Sequence, residues 1–524
     1  MKNILIWLIG FLLLLGGCRG GSDRGLSSAL SSITEEDVHA HMFFLASDSL
    51  KGRNTPSPEL DTAAEYISKV FLRCGLLPLR GSYFQQVSLN VVSLGDQNGL
   101  KIIKGGVGTS YEIKTDFTPF DMTANRTVSA PLVFAGYGIT APEYQYDDYA
   151  GIDARGKIVV VLRHEPREED TSSVFMGKTA TDYSNVSRKV AIARDHGAVA
   201  VFVITDPLNH TSLAPRGFPW PSLSRTLPME ALPITLAADE DSKIPVIHIG
   251  ESVVNLLFGS VEALKTLQMR IDSTLAPQSF DIGGTNAWVQ TTTKITMMST
   301  NNVVGFLEGS DPVMKNQIVV VGAHYDHVGY KKQHAEGEDY IYNGADDNAS
   351  GACALMGVAA GLGALQERPN RSILLIAFAG EEKGLFGSEF YVRHSFFPLD
   401  STVAMLNMDM VGRNGEDSLY LIGAGSSPDL AEIAREENAR VGFVLTDEAL
   451  SFGGSDHMSF QKRNIPSLFF HSGLHPQYHQ VSDSPDLINI AKLTNVARLA
   501  FLTAVRVAND IHRYRYIPKP ITLF

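Results

Sequence analysis

The sequence predicts an α/β protein whose central sheet is mixed, mostly parallel, and enclosed between helices. Four apolar runs carry this prediction, and each leads into polar or charged residues: residues 317–323, 372–380, 402–408 and 465–471. Uninterrupted apolar runs of this length are typical of strands that helices cover on both faces. A length of 524 residues with 44% hydrophobic content allows large cores in two domains.

The beginning of the chain predicts export. The apolar stretch Ile4 to Leu15 follows Lys2 and is shorter than the roughly 20 residues that span a membrane, so residues 1–17 are expected to be a signal peptide. Leu15-Gly-Gly-Cys18 is similar to a lipobox, which predicts a lipidated Cys18 and a location anchored in the bacterial cell envelope, in the periplasm or on the outer surface. An ordinary secretory signal is the alternative. The Gly- and Ser-rich residues 18–33 are expected to be a flexible tether.

Residues 34–127 are predicted to be the leading part of the main domain. Thr34 is a typical helix N-cap before three acidic residues, and the spacing of apolar residues from Leu60 to Leu72 predicts a second helix. The sequence from Gly75 to Pro78 ends that helix, and residues 84–89 predict a strand.

Residues 128–285 are predicted to be an inserted domain with its own sheet. The predicted elements are strands at 133–139, 156–162, 197–204 and 244–249 and a helix at 186–196. They resemble a protease-associated domain, which implies a β-rich α+β fold that contacts substrate or a partner; a passive insert is equally compatible. No ligand set is evident in the insertion, and His164, like His39 and His41, is expected to be a surface residue.

Charge and cysteine content exclude two classes of interaction. A formal net charge of −13 argues against nucleic acid as a partner. Beyond Cys18 the chain has only Cys74 and Cys353, both in apolar, helix-like surroundings, so we expect buried free thiols rather than a disulfide or a thiolate metal site.

Metal-type ligands follow the predicted strands of residues 286–524. In open α/β sheets the ligand crevice lies outside the carboxyl ends of the strands, so residues that follow different strands converge. The five candidates are His324, Asp347, Glu382, Asp409 and His479. Asp347 lies in a polar turn before a helix that begins near Ser350, where helix capping would explain its residue type but not the other four candidates.

Two histidines and three carboxylates suit zinc, which takes nitrogen and oxygen ligands and keeps an open position in catalytic sites. Two zinc ions about 3.5–4 Å apart could share one carboxylate and one water. Glu381 precedes Glu382 and points differently, so it suits the general base that takes a proton from this water. Asp326 lies on the same side of an extended chain as His324 and suits orienting its imidazole.

Five ordered motifs resemble metallopeptidase family 28, the di-zinc exopeptidases: His-Tyr-Asp, Gly-Ala-Asp-Asp-Asn-Ala-Ser-Gly, Ala-Gly-Glu-Glu-Lys-Gly-Leu-Phe-Gly-Ser, Asn-Met-Asp-Met-Val-Gly and Tyr-His-Gln-Val-Ser-Asp. The resemblance implies the zinc-exopeptidase fold for residues 286–524 and two zinc ions per chain. It makes Asp347 the bridging ligand, followed by a cis peptide bond. The remaining implied roles are one zinc on His324 and Asp409, the other on Glu382 and His479, Glu381 as base, and Tyr478 as an oxyanion donor in some relatives.

Other residues near the motifs have less specific expectations. Asp456 and His457 resemble a family segment that lines the pocket, whereas His327, His471 and His475 are expected to pack near the ligands. Arg413 is expected to form a structural ion pair. Asp483 is a candidate for orienting His479.

The resemblance implies an aminopeptidase acting on peptides, chosen on family frequency alone. A carboxypeptidase would share every metal residue, since end preference depends on loops near 330–342, 410–414 and 451–460, which contain both acidic and basic residues. A one-zinc glutaminyl-cyclase-like enzyme and a metal-free, receptor-type binding protein are further alternatives. The intact His324-x-Asp326 favours two metals and hydrolysis, and a binding-only descendant should have lost ligands.

Overall fold

The computed structural model describes residues 25–177, 181–215, 234–236, 243–447 and 454–517. The predicted signal peptide and Cys18 lie outside these residues. The described chain divides into two compact units. The first unit contains the residues up to Leu89 and from Met298 onward, and the second contains the described residues between Asn90 and Met297.

The helices, in chain order, are α1 (residues 25–31), α2 (Glu35–Leu45), α3 (Pro58–Arg73), α4 (Val186–Asp195), α5 (Glu251–Phe258), α6 (Val261–Thr274), α7 (Gly351–Gly363), α8 (Phe386–Arg393), α9 (Pro428–Asn438), α10 (His457–Gln461) and α11 (Ile490–Asn509). The strands are β1 (Phe84–Leu94), β2 (Gly99–Lys104), β3 (Val107–Tyr111), β4 (Phe117–Pro119), β5 (Arg126–Phe134), β6 (Thr140–Ala141), β7 (Tyr146–Asp147), β8 (Ile158–Leu162), β9 (Ala200–Ile204), β10 (Ile234–Leu236), β11 (Val246–Ile249), β12 (Phe280–Thr291), β13 (Thr293–Leu307), β14 (Ile318–His324), β15 (Ser372–Phe378), β16 (Thr402–Met408), β17 (Ser418–Ile422), β18 (Val444–Thr446) and β19 (Ser467–His471).

The sheet of the first unit has the strand order β13-β15-β14-β16-β19-β17-β18, with β1 beside β13. Strands β15, β14, β16 and β19 run parallel, with Val321 opposite Leu375 on one side and Leu406 on the other. Antiparallel pairs join β13 to β15 and β17 to β19. Every residue of β14, β15 and β16 is buried, so the predicted mixed, mostly parallel sheet is confirmed.

Helices cover both faces of this sheet. On one face α7 and α11 pack so closely that a Cβ added to Gly361 would lie 2.7 Å from the ring of Phe501. On the other face Tyr391 of α8 and Phe460 of α10 pack against Val320 of β14. The close approach of α7 and α11 depends on glycine, which has no side chain to hold two helices apart.

The tether predicted over residues 18–33 is wrong for residues 25–31, which form the helix α1. Ala29 and Ile33 are buried in the core of the first unit, and Arg498 donates a hydrogen bond of 2.9 Å to the carbonyl of Ile33. Residues from 25 onward are therefore part of the folded unit. Among the described helices, none is both long and apolar enough to cross a membrane.

The second unit has a sheet of order β3-β2-β12-β5-β8-β9-β11-β4. Its central strands β5, β8, β9 and β11 are parallel, with α4 packed on one face and α5 and α6 on the other. This unit is wider than the insertion predicted over residues 128–285. Residues 99–119 supply β2, β3 and β4: β2 pairs with β12, β3 pairs with β2, and β4 pairs with β11. Strand β12 continues to Thr291.

The strand predicted at residues 133–139 ends earlier than expected, because β5 covers Arg126–Phe134. The carboxylate of Asp148 accepts hydrogen bonds of 3.0 and 3.1 Å from the amides of Tyr137 and Ile139, which holds the following residues in a turn. Gly136 adopts a positive φ of 46° there, and an added Cβ would lie 2.2 Å from Asp148 Oδ1. An apolar run cannot report such a turn, because its residues remain buried after the strand ends.

Both predicted thiols are free, with Cys353 buried and Cys74 partly exposed. The expectation for His41 is wrong: this residue of α2 is only 9% exposed, and its Nδ1 lies 2.7 Å from the hydroxyl of Tyr66. Burial lowers the pKa of His41 to about 4 despite the opposing charge of Asp37. His39, by contrast, is exposed and stacks on Phe43.

This burial predicts acid sensitivity of the first unit. Below pH 6.5 the unfolded chain protonates His41, whereas the folded chain does not until about pH 4, so stability is lost as the pH falls through this window. The full effect is about 3 kcal/mol at 1.36 kcal/mol per pKa unit. We expect the melting temperature of His41→Gln to fall less between pH 7 and pH 4 than that of the wild type, measured by thermal unfolding. His39→Gln should follow the wild type; equal pH dependence in all three proteins would contradict the prediction.

Candidate active site

The carboxyl ends of the parallel strands bring the candidate ligands together. His324 is the last residue of β14, and Asp409 directly follows β16. Glu381 and Glu382 follow β15, and His479 lies in the loop after β19. Because these strands run parallel, their carboxyl ends meet at one edge of the sheet.

Asp347 reaches the same place from a kinked helical turn, Ala345–Ser350, that precedes α7. The peptide bond between Asp347 and Asn348 is cis, as the resemblance implied. The side chain of Asn348 fixes this turn to the sheet, because its Nδ2 donates a hydrogen bond of 3.1 Å to the carbonyl of Met408 at the end of β16.

The carboxylate of Asp347 lies between two groups of candidate ligands. Its Oδ1 is 3.4 Å from His324 Nε2, and its Oδ2 is 3.0 Å from His479 Nε2. Asp409 Oδ2 lies 3.3 Å from the same nitrogen of His324, and Glu382 Oε2 lies 3.1 Å from that of His479. The structure therefore brings all five predicted ligands together, in two pairs that face opposite oxygens of one carboxylate.

The donor atoms of this cluster fit a metal ion better than they fit one another. His324 Nε2, His479 Nε2 and Asp409 Oδ1 are all buried without a hydrogen-bond partner of acceptable geometry among the described residues. Buried polar atoms are ordinarily paired, and groups without a partner call for an explanation such as a bound ion. Imidazole nitrogens and carboxylate oxygens at these spacings suit zinc.

The charges of the cluster are strongly coupled. Burial alone would lower the pKa of His479 and raise that of Asp347, but close contact between them reverses both shifts. The pKa of His479 rises to about 10, and that of Asp347 falls well below its usual value. Because zinc binds neutral imidazoles and carboxylates, its binding at this cluster would be coupled to the release of protons.

Glu381 lies beside the cluster rather than between its two halves. Its Oε2 is 3.9 Å from His324 Nε2, the longest of the spacings to that nitrogen. Burial raises the pKa of Glu381 well above its usual value, opposed by the charge of His324 and reinforced by that of Glu382. A carboxylate with a raised pKa can take up a proton readily, as a general base must.

Asp326 is fully buried and connects His324 to Glu381. Its Oδ1 lies 3.6 Å from His324 Nδ1 and accepts a hydrogen bond of 3.2 Å from the amide of Glu381. Its Oδ2 accepts a hydrogen bond of 2.8 Å from the hydroxyl of Thr55. This arrangement suits the predicted orienting role, because the carboxylate faces the ring nitrogen opposite the cluster.

His327 contacts a candidate ligand directly, in keeping with its expected position beside the ligands. Its Nδ1 lies 2.7 Å from Glu382 Oε1 and 3.9 Å from Asp347 Oδ2, and the side chain is fully buried. In the sequence, the position of His327 three residues after the ligand His324 was the only indication of this contact. A residue that holds one oxygen of Glu382 leaves the other, Oε2, directed at His479.

We expect His327→Gln to weaken metal binding by about 10- to 100-fold, the range seen when a group that orients a ligand is removed. Stoichiometry at saturating metal should not change, because the five predicted ligands remain. Titration of the metal-free protein with zinc measures both quantities. Loss of one bound ion at saturation would instead identify His327 as a ligand.

Asp483 supports the turn of Asp347 rather than orienting His479. Its carboxylate accepts hydrogen bonds of 3.0 Å from the amide of Asp346 and 3.2 Å from that of Asp347. Arg413 Nη1 lies 4.0 Å from Asp483, in keeping with the expected ion pair. Sequence patterns do not reveal such contacts, because the donors are backbone amides.

Several further predicted residues lie around the cluster. Asp456 is fully buried, and burial raises its pKa to about 7 while the charge of His324 opposes the rise. His457 packs on Phe469 with ring centroids 4.6 Å apart. Tyr478 is 39% exposed and stacks on His479 at 3.9 Å, which places a phenol at the open side of the cluster.

Comparison with known proteins agrees with this geometry. Residues 302–504, which include all five candidate ligands, match the family model of Peptidase family M28. This segment belongs to peptidase family M28. The chain is 28% identical over 206 residues to a probable leucine aminopeptidase of Trichophyton verrucosum, a match that covers 38% of this chain and 56% of the relative. Aminopeptidase YwaD of Bacillus subtilis is 31% identical over 217 residues, covering 39% of this chain and 44% of the relative.

The chain spans about half the length of these curated relatives. Among solved structures, the aminopeptidase from Aneurinibacillus sp. strain AM-1 is similar over 94% of this chain and 96% of its own, with a TM-score of 0.53 and 21% identity. That similarity shows the fold. The mixed α/β architecture around the M28 segment is thus shared with a structurally characterised aminopeptidase.

Proposed function

We propose that this chain is a zinc-dependent exopeptidase that binds two zinc ions and removes N-terminal residues from peptides. The position of Asp347 carries the proposal, because its two oxygens face His324 and His479 at 3.4 and 3.0 Å. A carboxylate with ligands on both sides suits the shared ligand of a two-metal site. Membership of the M28 segment in a peptidase family supports peptides as substrates.

Five residues would bind the two zinc ions, and Glu381 would act as the general base. One zinc ion would be held by His324 and Asp409, the other by Glu382 and His479, with Asp347 shared. Bound zinc acidifies water and polarises the scissile carbonyl. Glu381 would take the proton of the attacking water on its carboxylate and return it to the leaving amine.

Two further side chains would assist this reaction. Asp326 would hold His324 and the amide of Glu381 in place. Burial and the negative charge of Asp347 raise the pKa of Tyr478, so its hydroxyl stays protonated and can donate to the oxygen that becomes negative.

The surroundings of two basic residues favour action at the amino end. Recognition of a free C-terminus needs a cation, and Lys331 pairs with Glu338 at 3.1 Å. Arg413 donates a hydrogen bond of 3.0 Å to Gln477 and lies 4.0 Å from Asp483. Lys331 and Arg413 are thus engaged within the protein, whereas Lys332 of the same loop is exposed. The choice of the amino end therefore also relies on the similarity to aminopeptidases.

Metal content and cleavage, measured together, test the proposal. We expect two zinc ions in the M28 segment and hydrolysis of aminoacyl-nitroanilides that stops with a chelator and returns with zinc. Peptides with a blocked N-terminus should not be cleaved. Cleavage of blocked peptides from the other end would identify a carboxypeptidase, cyclisation of N-terminal glutamine a cyclase, and a metal-free, inactive protein a binding role.

We also propose that a lipidated Cys18 anchors the protein in a bacterial cell envelope. The lipobox-like sequence before Cys18 supports this proposal, and these residues lie outside the described ones. Cells that express the full chain should incorporate labelled fatty acid into it, and Cys18→Ser should abolish the label. Label retained in Cys18→Ser, or none in either protein, would contradict the anchor.

For the second unit we propose a protease-associated domain that contacts peptide substrate or a partner. The succession β5, β8, α4, β9 and β11 supports this assignment. Hydrogen exchange with and without a bound peptide inhibitor tests the contact. Protection within residues 90–297 would support it, and unchanged exchange there would indicate a passive insert.

A further inference from the structure

The second unit contains a cluster of ligand-type side chains at the ends of two parallel strands. Strands β8 and β9 pair in parallel, so the loops that follow them lie side by side. The first loop carries His164 and Glu168, and the second carries Asp206 and His210, each pair four residues apart. The expectation that the insertion has no ligand set is therefore wrong, whereas His164 is partly exposed.

The four side chains face one another at ligand spacings. His164 Nδ1 lies 2.5 Å from Asp206 Oδ1 and 3.5 Å from Glu168 Oε2. His210 Nε2 lies 2.8 Å from Glu168 Oε1 and 3.4 Å from Asp206 Oδ2. One ligand atom from each residue can be chosen so that all lie within 4.8 Å of one another. Ligands of a tetrahedral zinc ion, with bonds of about 2.0–2.1 Å, lie about 3.4 Å apart, so small side-chain shifts suffice.

The two carboxylates of the cluster are largely buried, whereas the side chains of His164 and His210 are 26% and 38% exposed. The side chain of Asp206 is 1% exposed and that of Glu168 is 13% exposed. Asp206 Oδ2, Glu168 Oε1 and His210 Nε2 are buried and have no hydrogen-bond partner of acceptable geometry within the described ranges. Unsatisfied atoms of three residues that point at one another indicate a missing partner with positive charge.

Hydrogen bonds with Asp206 and Lys189 hold the backbone around the cluster in place. The amide of His164 donates a hydrogen bond of 3.2 Å to Asp206 Oδ1. The buried ammonium of Lys189 donates hydrogen bonds of 2.6 Å to the carbonyl of His164 and 2.5 Å to that of Tyr137. These hydrogen bonds fix the backbone of His164 in the loop after β8, and fixed ligands favour metal binding.

The cluster needs positive charge. Two stacked imidazoles, with ring centroids 4.2 Å apart, face the carboxylates of Asp206 and Glu168. A divalent cation between these four side chains would balance the two carboxylates and take one nitrogen from each imidazole.

We propose that His164, Glu168, Asp206 and His210 bind a divalent transition-metal ion of the zinc type in the second unit, separate from the M28 segment. Two nitrogen and two oxygen donors suit zinc and disfavour calcium or magnesium, which prefer oxygen alone. The ion would join the loops after β8 and β9. His164 and His210 also line a cavity of about 340 Å³, through which the ion can reach the ligands.

Zinc titration of the full chain tests this site. In an Asp347→Asn background, which disables the proposed shared ligand of the other site, the double variant His164→Ala/His210→Ala should bind one zinc ion fewer than its parent. The single variant Glu168→Gln should lower the affinity of this zinc ion by more than about 100-fold, beyond the loss seen when only an orienting group is removed. Glu169→Gln is the matched control, because Glu169 is adjacent but exposed and outside the cluster.

Cobalt substitution gives a second readout that does not depend on counting ions. Visible absorption of the Co²⁺ form should lose one component in the double variant and keep it in Glu169→Gln. In the Asp347→Asn background, equal zinc stoichiometry and equal cobalt spectra with and without the double substitution would overturn the proposal and leave a protonated ion-pair cluster. Aminoacyl-nitroanilide hydrolysis by His164→Ala/His210→Ala with Asp347 intact verifies separately that the M28 segment is folded.

Discussion

Glu381→Gln should retain the two zinc ions of the M28 segment and lose peptide hydrolysis by about 10²- to 10⁴-fold in kcat, the usual contribution of a positioned general base. Glutamine keeps the size of the side chain but cannot accept the proton of the attacking water. The geometry supports this separation, because Glu381 Oε2 lies 3.9 Å from His324 Nε2, whereas Asp409 Oδ2 lies at 3.3 Å. Metal analysis and steady-state kinetics on one preparation measure both effects.

Glu382→Gln is the matched control for this variant, since it changes the neighbouring carboxylate in the same way. Glu382 Oε2 lies 3.1 Å from His479 Nε2, so this variant should lose one zinc ion together with activity. If Glu381→Gln instead loses an ion, Glu381 is a ligand. It would then bind one zinc ion together with His324 and Asp409, whose ligand atoms lie within 4.8 Å of its own. The assignment of the base would then be wrong.

Asp347→Asn should have the larger effect on metal content, with neither zinc ion of the M28 segment retained at stoichiometric zinc. An amide offers one neutral oxygen where the carboxylate offers two charged ones, so it cannot serve both His324 and His479. Two-metal sites contribute several kcal/mol to transition-state stabilisation, which corresponds to a loss of about 10³-fold or more in kcat/KM. Zinc analysis after gel filtration and kinetics with added zinc measure the two losses.

Asp346→Asn provides the comparison for that variant, because Asp346 is the preceding residue and also fully buried. Its Oδ1 accepts a hydrogen bond of 2.7 Å from the amide of Gly412, and its Oδ2 lies 3.2 Å from His475 Nε2, both away from the cluster. We expect this variant to keep both zinc ions when folded. Retention of two ions by Asp347→Asn would show that the ligands on each side suffice and that Asp347 is not shared.

Much of the first unit could be predicted from local patterns. Strands β14, β15, β16 and β19 are buried at every described position, and uninterrupted apolar residues report that burial directly. The ligands could be predicted because they follow these strands closely. His479 was the least local of them, since it lies eight residues beyond β19 and adopts a positive φ of 54°.

The remaining features depend on contacts that no local pattern contains. The cluster around His164 exists because β8 and β9 are parallel neighbours, which places residues 164 and 210 side by side. The helix α1 is stabilised by burial of Ala29 and Ile33 in the first unit, although its composition resembles a linker. The role of Asp483 depends on backbone amides, which every residue type but proline provides.

The five candidate ligands come from five separate segments between residues 324 and 479, and none of the segments supplies two of them. A chain that has formed β14 and β15 but not yet added β19 cannot present the pocket, however much helix and strand it already contains. Zinc uptake therefore reports completion of the sheet, and contacts so distant in sequence form late in folding. During biogenesis, acquisition of metal would act as a checkpoint that separates finished molecules from incomplete ones.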